Sequence, residues 1–450
     1  MWDSKEWKSL DLKKYQSELI KKTKHDNPII DLIDYKNLKI NPNGRLSGIP
    51  FGVKDNITIE NNKTTSASKI LRNYIAPETA TVIKKLLEEG AIPLVKTNMD
   101  EFGMGGTGQS SNYKPVSNPH NPKAITGGSS SGSTYLVSTN LLPFSLGTDT
   151  GDSVRKPASW MGVVGFKPTW GLVSRYGVYD FAPSWDTIAW FSNTVEESAL
   201  LLEILQGHDQ KDFSSLELKP QQFSTNLKTS KKFKIGFIPQ LENEIKEEQI
   251  KTNYLKTMKK LLADGHHLIP LKPNMDILRT SLTIYRTISS IEAFSSTAAF
   301  TGFLYGTGFG GNIDFEKKVI KARTNGFGFE VKKRLLFATE AILHNEKEYY
   351  RSMKGRTLII EELKMQFEKV EIILAPATES YAPLLEDTKQ AEYGSIIHDF
   401  FTLFNANGSP SISIPTNKDK KKPTGISLAA KPMNDLAVLQ VAKIVEGYNG

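Results

Sequence analysis

GTDTGDSVRKPAS, residues 147–159, follows the short apolar run FSL and sets one serine among glycine, aspartate and arginine. Just upstream, TGGSSSGST at 126–134 consists of glycine and hydroxyl residues alone. Runs of this kind serve either as flexible linkers or as tight turns where a backbone must approach something closely. Their neighbours decide between the two. Between them lies YLVSTNLLPFSL (135–146), apolar enough to be a buried helix ending at Pro143 and followed by a short strand. Linkers do not flank core elements, so the two runs belong to a folded framework.

Working outward, TATVIKKLLEE (79–89) has helical period, and Gly90 stands where that helix must stop. AIPLVKTN (91–98) reads as a buried strand, and GIPFGVKDNIT (48–58) as another apolar strand punctuated by Gly and Pro. Strand–helix–strand alternation predicts an α/β fold. Residues 1–45 read as an N-terminal helical segment and 207–232 as a polar surface connection. Beyond it, KFKIGFIPQ (232–240), VEIILAPAT (370–378) and SISIPTN (411–417) read as strands, and 281–350 as mainly helical.

Composition removes several chemistries. With no cysteine in 450 residues, disulfides, thiol catalysis and Cys-ligated metal sites are excluded. The net charge of +8 suits an acidic partner. The basic runs KKTK (21–24), KTSKKFK (228–234) and KDKKK (418–422) hold few aromatics and no RNA-reading motif, so they read as solvated faces. The start, MWDSKEWKSLDLKKYQ, lacks an apolar signal core, and no apolar run approaches the ~20 residues that span a bilayer. A cytoplasmic protein without membrane contact is expected.

A serine hydroxyl becomes a nucleophile only beside a base. The chain has seven histidines, none within the two serine-rich runs, and no Gly-x-Ser-x-Gly elbow surrounds Ser153. A buried lysine is the other solution, because low dielectric penalises the ammonium. Lys54 sits in the apolar setting GIPFGVKDN. By residue pattern alone it is equally readable as a surface lysine beside a turn. GMGGTGQ (103–109) lacks the strand–helix context and the downstream acidic residue of a dinucleotide loop, and reads instead as part of a pocket lining.

The combination resolves the ambiguity. GIPFGVKDNIT, KTNMDEFGMGG, TGGSSSGS, GTDTGDSVRKPAS and GVVGFKPTWG occur in this order, and together they resemble the amidase signature family. That resemblance implies a single large α/β/α domain around a central mixed sheet. It implies Ser153 as the acylated nucleophile, Ser129 as a bridging serine held by a cis peptide bond, and Lys54 as a base that is neutral at rest. The N–H groups of Thr150, Gly151, Asp152 and Ser153 would form the oxyanion hole, with Asp149 and Arg155 fixing the loop. The chain departs from the family at Asp152 and Ser131, where glycine is usual, and at Lys156, where glutamine is usual. A carboxylate at 152 opposes an oxyanion unless it turns away, and Lys156 stands where it can neutralise it.

KTNMDEFGMGGTGQSSNYKPVSNPHNP (96–122), YRTISSIEAFSS (285–296), GFGFEVKKRLLFAT (326–339) and FEKVEIILAPAT (367–378) resemble the glutaminase-subunit branch of that family. This branch implies glutamine hydrolysis that supplies ammonia for converting Glu-tRNA(Gln) to Gln-tRNA(Gln). The chain would work with two other subunits of an amidotransferase, one a tRNA-binding kinase and the other a small linker. It would touch tRNA mainly through the partner, need no cofactor of its own, and leave ATP and magnesium to the partner. The glutamine's charged ends would be held by Asp399, Arg334 and Tyr285. Segment 297–306 lacks the Arg and Asp that relatives carry there. Two other functions fit the residues: a free-standing amidase for small amides, and an assembly subunit disabled by Asp152.

Overall fold

A computed structural model of the chain describes residues 5–303, 305, 314–389 and 396–449. Its centre is one mixed sheet of strands β1 (Ile29–Leu32), β2 (Pro50–Lys54), β3 (Ile92–Thr97), β4 (Phe144–Asp149), β5 (Val164–Lys167) and β6 (Thr187–Ser192). It continues with β7 (Lys234–Phe237), β8 (His267–Pro270), β9 (Ile372–Pro376), β10 (Ser411–Pro415) and β11 (Gly425–Ala430). The spatial order is β1-β3-β2-β4-β6-β5-β10-β11-β9-β7-β8. β2 runs parallel to both β3 and β4, and β7 parallel to β8 and β9, while the middle of the sheet is antiparallel.

Both faces of the sheet are covered, which is why its strands read as apolar runs rather than clean alternations. Along β9, Ile372 and Leu374 enter one core cluster while Ile373 and Ala375 enter the other, as the two-residue period of a strand requires. The first cluster lies under the helices Val195–Leu205 and Asp435–Glu446. The second lies under the long helices Met275–Ser296, Phe329–His344 and Glu346–Lys369. Among the described residues no helix is long and apolar enough to cross a membrane.

Two expectations about local structure are corrected. The helix expected to end at Pro143 instead spans Ser131–Ser138, so it begins inside the glycine/serine run and stops just before Asn140, which takes a left-handed φ of 55°. Gly132 allows this start: a Cβ there would lie 2.3 Å from the Pro28 carbonyl oxygen and 2.5 Å from the Asn98 nitrogen. Within 1–45, helix covers Leu12–Thr23, but Ile29–Leu32 is an edge strand on β3. Four residues carry too little pattern to separate a short strand from a helix end.

The sheet order has a functional consequence. β2 and β4 are parallel neighbours with Val53 opposite Leu146, so their carboxyl ends emerge side by side. The crevice beyond such ends is where open α/β sheets assemble sites.

Candidate active site

Lys54 is the last residue of β2 and is fully buried. Its Nζ lies 2.8 Å from Ser129 Oγ, 2.8 Å from Thr148 Oγ1 and 3.4 Å from the Thr148 carbonyl oxygen. Burial pulls its pKa down to about 7, against the opposing pull of the Asp100, Asp186 and Asp149 carboxylates. A neutral amine has two N–H donors and one lone pair, and three contacts surround this nitrogen. In the ammonium form Nζ donates to Ser129 Oγ; in the neutral form its two N–H groups can serve the Thr148 oxygens and its lone pair can accept from the Ser129 hydroxyl.

Ser129 follows a cis Gly128–Ser129 peptide. The loop carrying it is knitted to the GMGGTGQ segment: Gly128 N–H donates to the Gly106 carbonyl at 3.0 Å, and Asp100 N–H to the Ser129 carbonyl at 3.0 Å. The Asp100 carboxylate accepts from Gly108 N–H and Ser110 N–H, and a Cβ at Gly128 would fall 2.0 Å from its Oδ2. Only glycine leaves room for that carboxylate.

Ser153 lies on the turn between β4 and the helix Arg155–Met161, and is 4% exposed. The segments bearing the two serines converge over Gly147, where a Cβ would meet both Ser130 Oγ and Val154 Cγ2 at 2.9 Å. The turn is rigidly held. Arg155 donates to both Asp149 oxygens, at 3.1 and 2.7 Å, to the Gly151 carbonyl at 2.7 Å and to the Phe401 carbonyl at 3.0 Å. Asn405 Nδ2 donates to Asp149 Oδ1 at 3.0 Å. Burial alone would raise Asp149, but the Arg155 charge and these hydrogen bonds hold it down at about 2. Among the described residues, no acceptor takes the backbone N–H of Gly151 or Ser153.

Asp152 is buried, forms an ion pair with Lys156, and is not among the residues with positive φ, so the aspartate strains no backbone. Lys156 in turn stands 5.3 Å over the Trp160 ring, and a Cβ on Gly106 would lie 3.9 Å from its Nζ.

The expected pocket residues approach from the helical layer. Tyr285 packs edge-on against Phe181 and Trp185, and a Cβ on Gly151 would sit 3.1 Å from its Cζ. Burial pushes the Tyr285 phenol up. The Arg334 guanidinium lies 5.1 Å over the Phe181 ring, with Nε 3.3 Å from Glu330, whereas the preceding Lys333 points outward. Arg334 and Tyr285 thus meet at one aromatic wall beside the 150–153 turn. Asp399 is on the helix Ile396–Ala406, but its side chain lies outside the described residues.

Two residues here escaped sequence reading. Thr148 had a usable signal: with Asp149 turned to Arg155, strand alternation sends Thr148 to the opposite face, toward Lys54. Asp186, which accepts from Thr150 Oγ1 at 2.6 Å, has none, because SWDT is an ordinary turn-to-strand sequence.

A family model described as Amidase matches residues 33–439, and the chain belongs to the amidase family. It is 37% identical over 422 residues to the A subunit of glutamyl-tRNA(Gln) amidotransferase from Ruminiclostridium cellulolyticum, covering 92% of this chain and 85% of that one. It is 38% identical over 409 residues to the Mycoplasma genitalium protein of the same name, covering 88% and 85% respectively. The crystal structure of the corresponding glutamyl-tRNA(Gln) amidotransferase protein from Thermotoga maritima superposes with a TM-score of 0.82 at 29% identity, over 98% of this chain and 95% of that one.

Proposed function

We propose that this chain is the glutaminase subunit of a glutamyl-tRNA(Gln) amidotransferase. The observation that carries the reading is the buried Lys54 amine on Ser129, beside a turn with unclaimed N–H groups. The Ser153 hydroxyl oxygen attacks the side-chain amide carbon of glutamine. Its proton passes to Ser129, and the Ser129 proton to Lys54. The resulting oxyanion faces the N–H groups of residues 150–153, and each such donor removed costs about 10²–10³ in turnover. When the C–N bond breaks, Lys54 returns the proton through Ser129 to the departing nitrogen, which leaves as ammonia. Water then cleaves the glutamyl ester, releasing glutamate and restoring Ser153.

Arg334 provides the cation for the substrate carboxylate, Asp399 the anion for its ammonium, and Tyr285 the rim of the pocket. The ammonia passes to a tRNA-binding kinase subunit, held with a small linker subunit in a heterotrimer, where ATP and magnesium act. The kinship to amidotransferase proteins bearing that name supports this over a free-standing amidase. The Asp152–Lys156 ion pair supports a working site over a disabled one. The test is glutamate release from glutamine by the purified complex: S153A should abolish it with folding intact, and full turnover in that variant would refute the assignment.

A further inference from the structure

Asp186 is a buried carboxylate that the proton relay does not use. Its Oδ1 accepts from the Thr150 hydroxyl at 2.6 Å. Its Oδ2 accepts from the backbone N–H of Phe181 at 2.8 Å and of Ala182 at 3.0 Å. One side chain therefore ties two segments: the turn that holds the oxyanion donors, and the stretch that begins with Phe181. The Phe181 ring carries Arg334 on its face and meets the Tyr285 ring edge-on, and Tyr285 closes back on Gly151. Thr150, Asp186, Phe181, Tyr285 and Gly151 form a closed circuit in which only the Thr150–Asp186 link is a hydrogen bond between two side chains.

We propose that Asp186 is a positioning residue that, through the Thr150 hydroxyl, holds the oxyanion turn in register with the substrate-binding wall. This rests on the glutaminase reading and adds to it a residue that touches neither substrate nor nucleophile. Burial, with the Asp180 charge beside it, raises the Asp186 pKa to about 7, so its value to the site lies in geometry: two oxygens that together accept from three donors. Asparagine at 186 can keep the Phe181 and Ala182 N–H groups on its carbonyl only by turning its NH2 toward Thr150, whose hydroxyl must then accept instead of donate. A brace for the core alone would change melting temperature; a brace for the turn changes turnover at unchanged fold.

The experiment compares D186N, T150V, T150S, the double variant D186N/T150V and S153A, each in the complex with its partner subunits, by glutamate release and thermal melting. T150V, which removes the hydroxyl, should lower kcat by about 10²-fold, the cost of a displaced donor, with a much smaller change in KM; D186N, which can still meet a reversed Thr150 hydroxyl, should lose less. T150S, which keeps the hydroxyl, should lose less than about threefold, and the double variant should be no worse than the poorer single one, as for two ends of one contact. T150V leaves the Asp186 carboxylate and its backbone bonds in place, so it carries the test even if D186N fails to fold. T150V within about threefold of native turnover, or losses that multiply in the double variant, would overturn the proposal. S153A distinguishes the two readings. If it still releases glutamate, the glutaminase reading falls and this one with it; if it is inactive while T150V is at native rate, only the Asp186 role falls.

Discussion

Lys54 yields the sharpest prediction, because burial and function pull on the same proton. Its pKa falls from 10.5 to about 7, with burial as the main cause. The difference amounts to about 5 kcal/mol against the ammonium form. At pH 7 about half of the molecules carry the neutral amine, where an exposed lysine would offer about one in three thousand. The base must be neutral to accept the Ser129 proton, and it gains a proton as pH falls through 7. Turnover should therefore rise from pH 5.5 to 7.5 and level off, with the rate at pH 6 no more than about a tenth of the plateau, since Asp186 also titrates near 7. Glutamate release measured across pH 5.5–9 checks this. K54R keeps a charge that cannot be shed and should lose about 10²–10⁴ in kcat. K54M fills the same space without a buried charge, so it should be inactive yet melt no lower than the native chain. A profile flat between pH 6 and 8, or K54R retaining more than about a tenth of native turnover, would refute the reasoning.

The departures at 152 and 156 should behave as a pair. K156Q alone leaves the Asp152 carboxylate beside the oxyanion and should slow turnover by about tenfold, a barrier change of about 1.4 kcal/mol, whereas D152G and D152G/K156Q should match or exceed the native rate in the same assay. R155M strips the partner from a fully buried Asp149 and should cost about 3–5 kcal/mol, read from the urea midpoint; a loss under about 1 kcal/mol would contradict its bracing role. D399A should raise KM for glutamine more than it lowers kcat, since a remote charge contact contributes mainly uniform binding. Ammonia supplied in solution should bypass the D399A and S153A defects in the assembled enzyme, as measured by Gln-tRNA formation.

Much of the candidate site was legible in one dimension through resemblance to a family whose motifs mark tight backbone. Glycine is required where a neighbour leaves no room for a Cβ, as at Gly128 against Asp100, and such positions stand out in a string of letters. The same holds for Asp149 and Arg155, six residues apart and bound to each other in the turn they define. The mixed α/β class followed from apolar runs alternating with a helical period. What the string leaves open is contact between distant segments. Lys54 looks equally like a surface residue until β2 and β4 lie parallel and close a dry space around its amine. The Thr148 oxygens that accept its hydrogen bonds, and Asp186 reaching Thr150 across 36 residues, exist as partners only in three dimensions. Sequence thus determined which residue types and turns were present, since those follow from local sterics. Tertiary structure alone decided which charges are buried together, because desolvation depends on everything that surrounds a group and on no motif of its own.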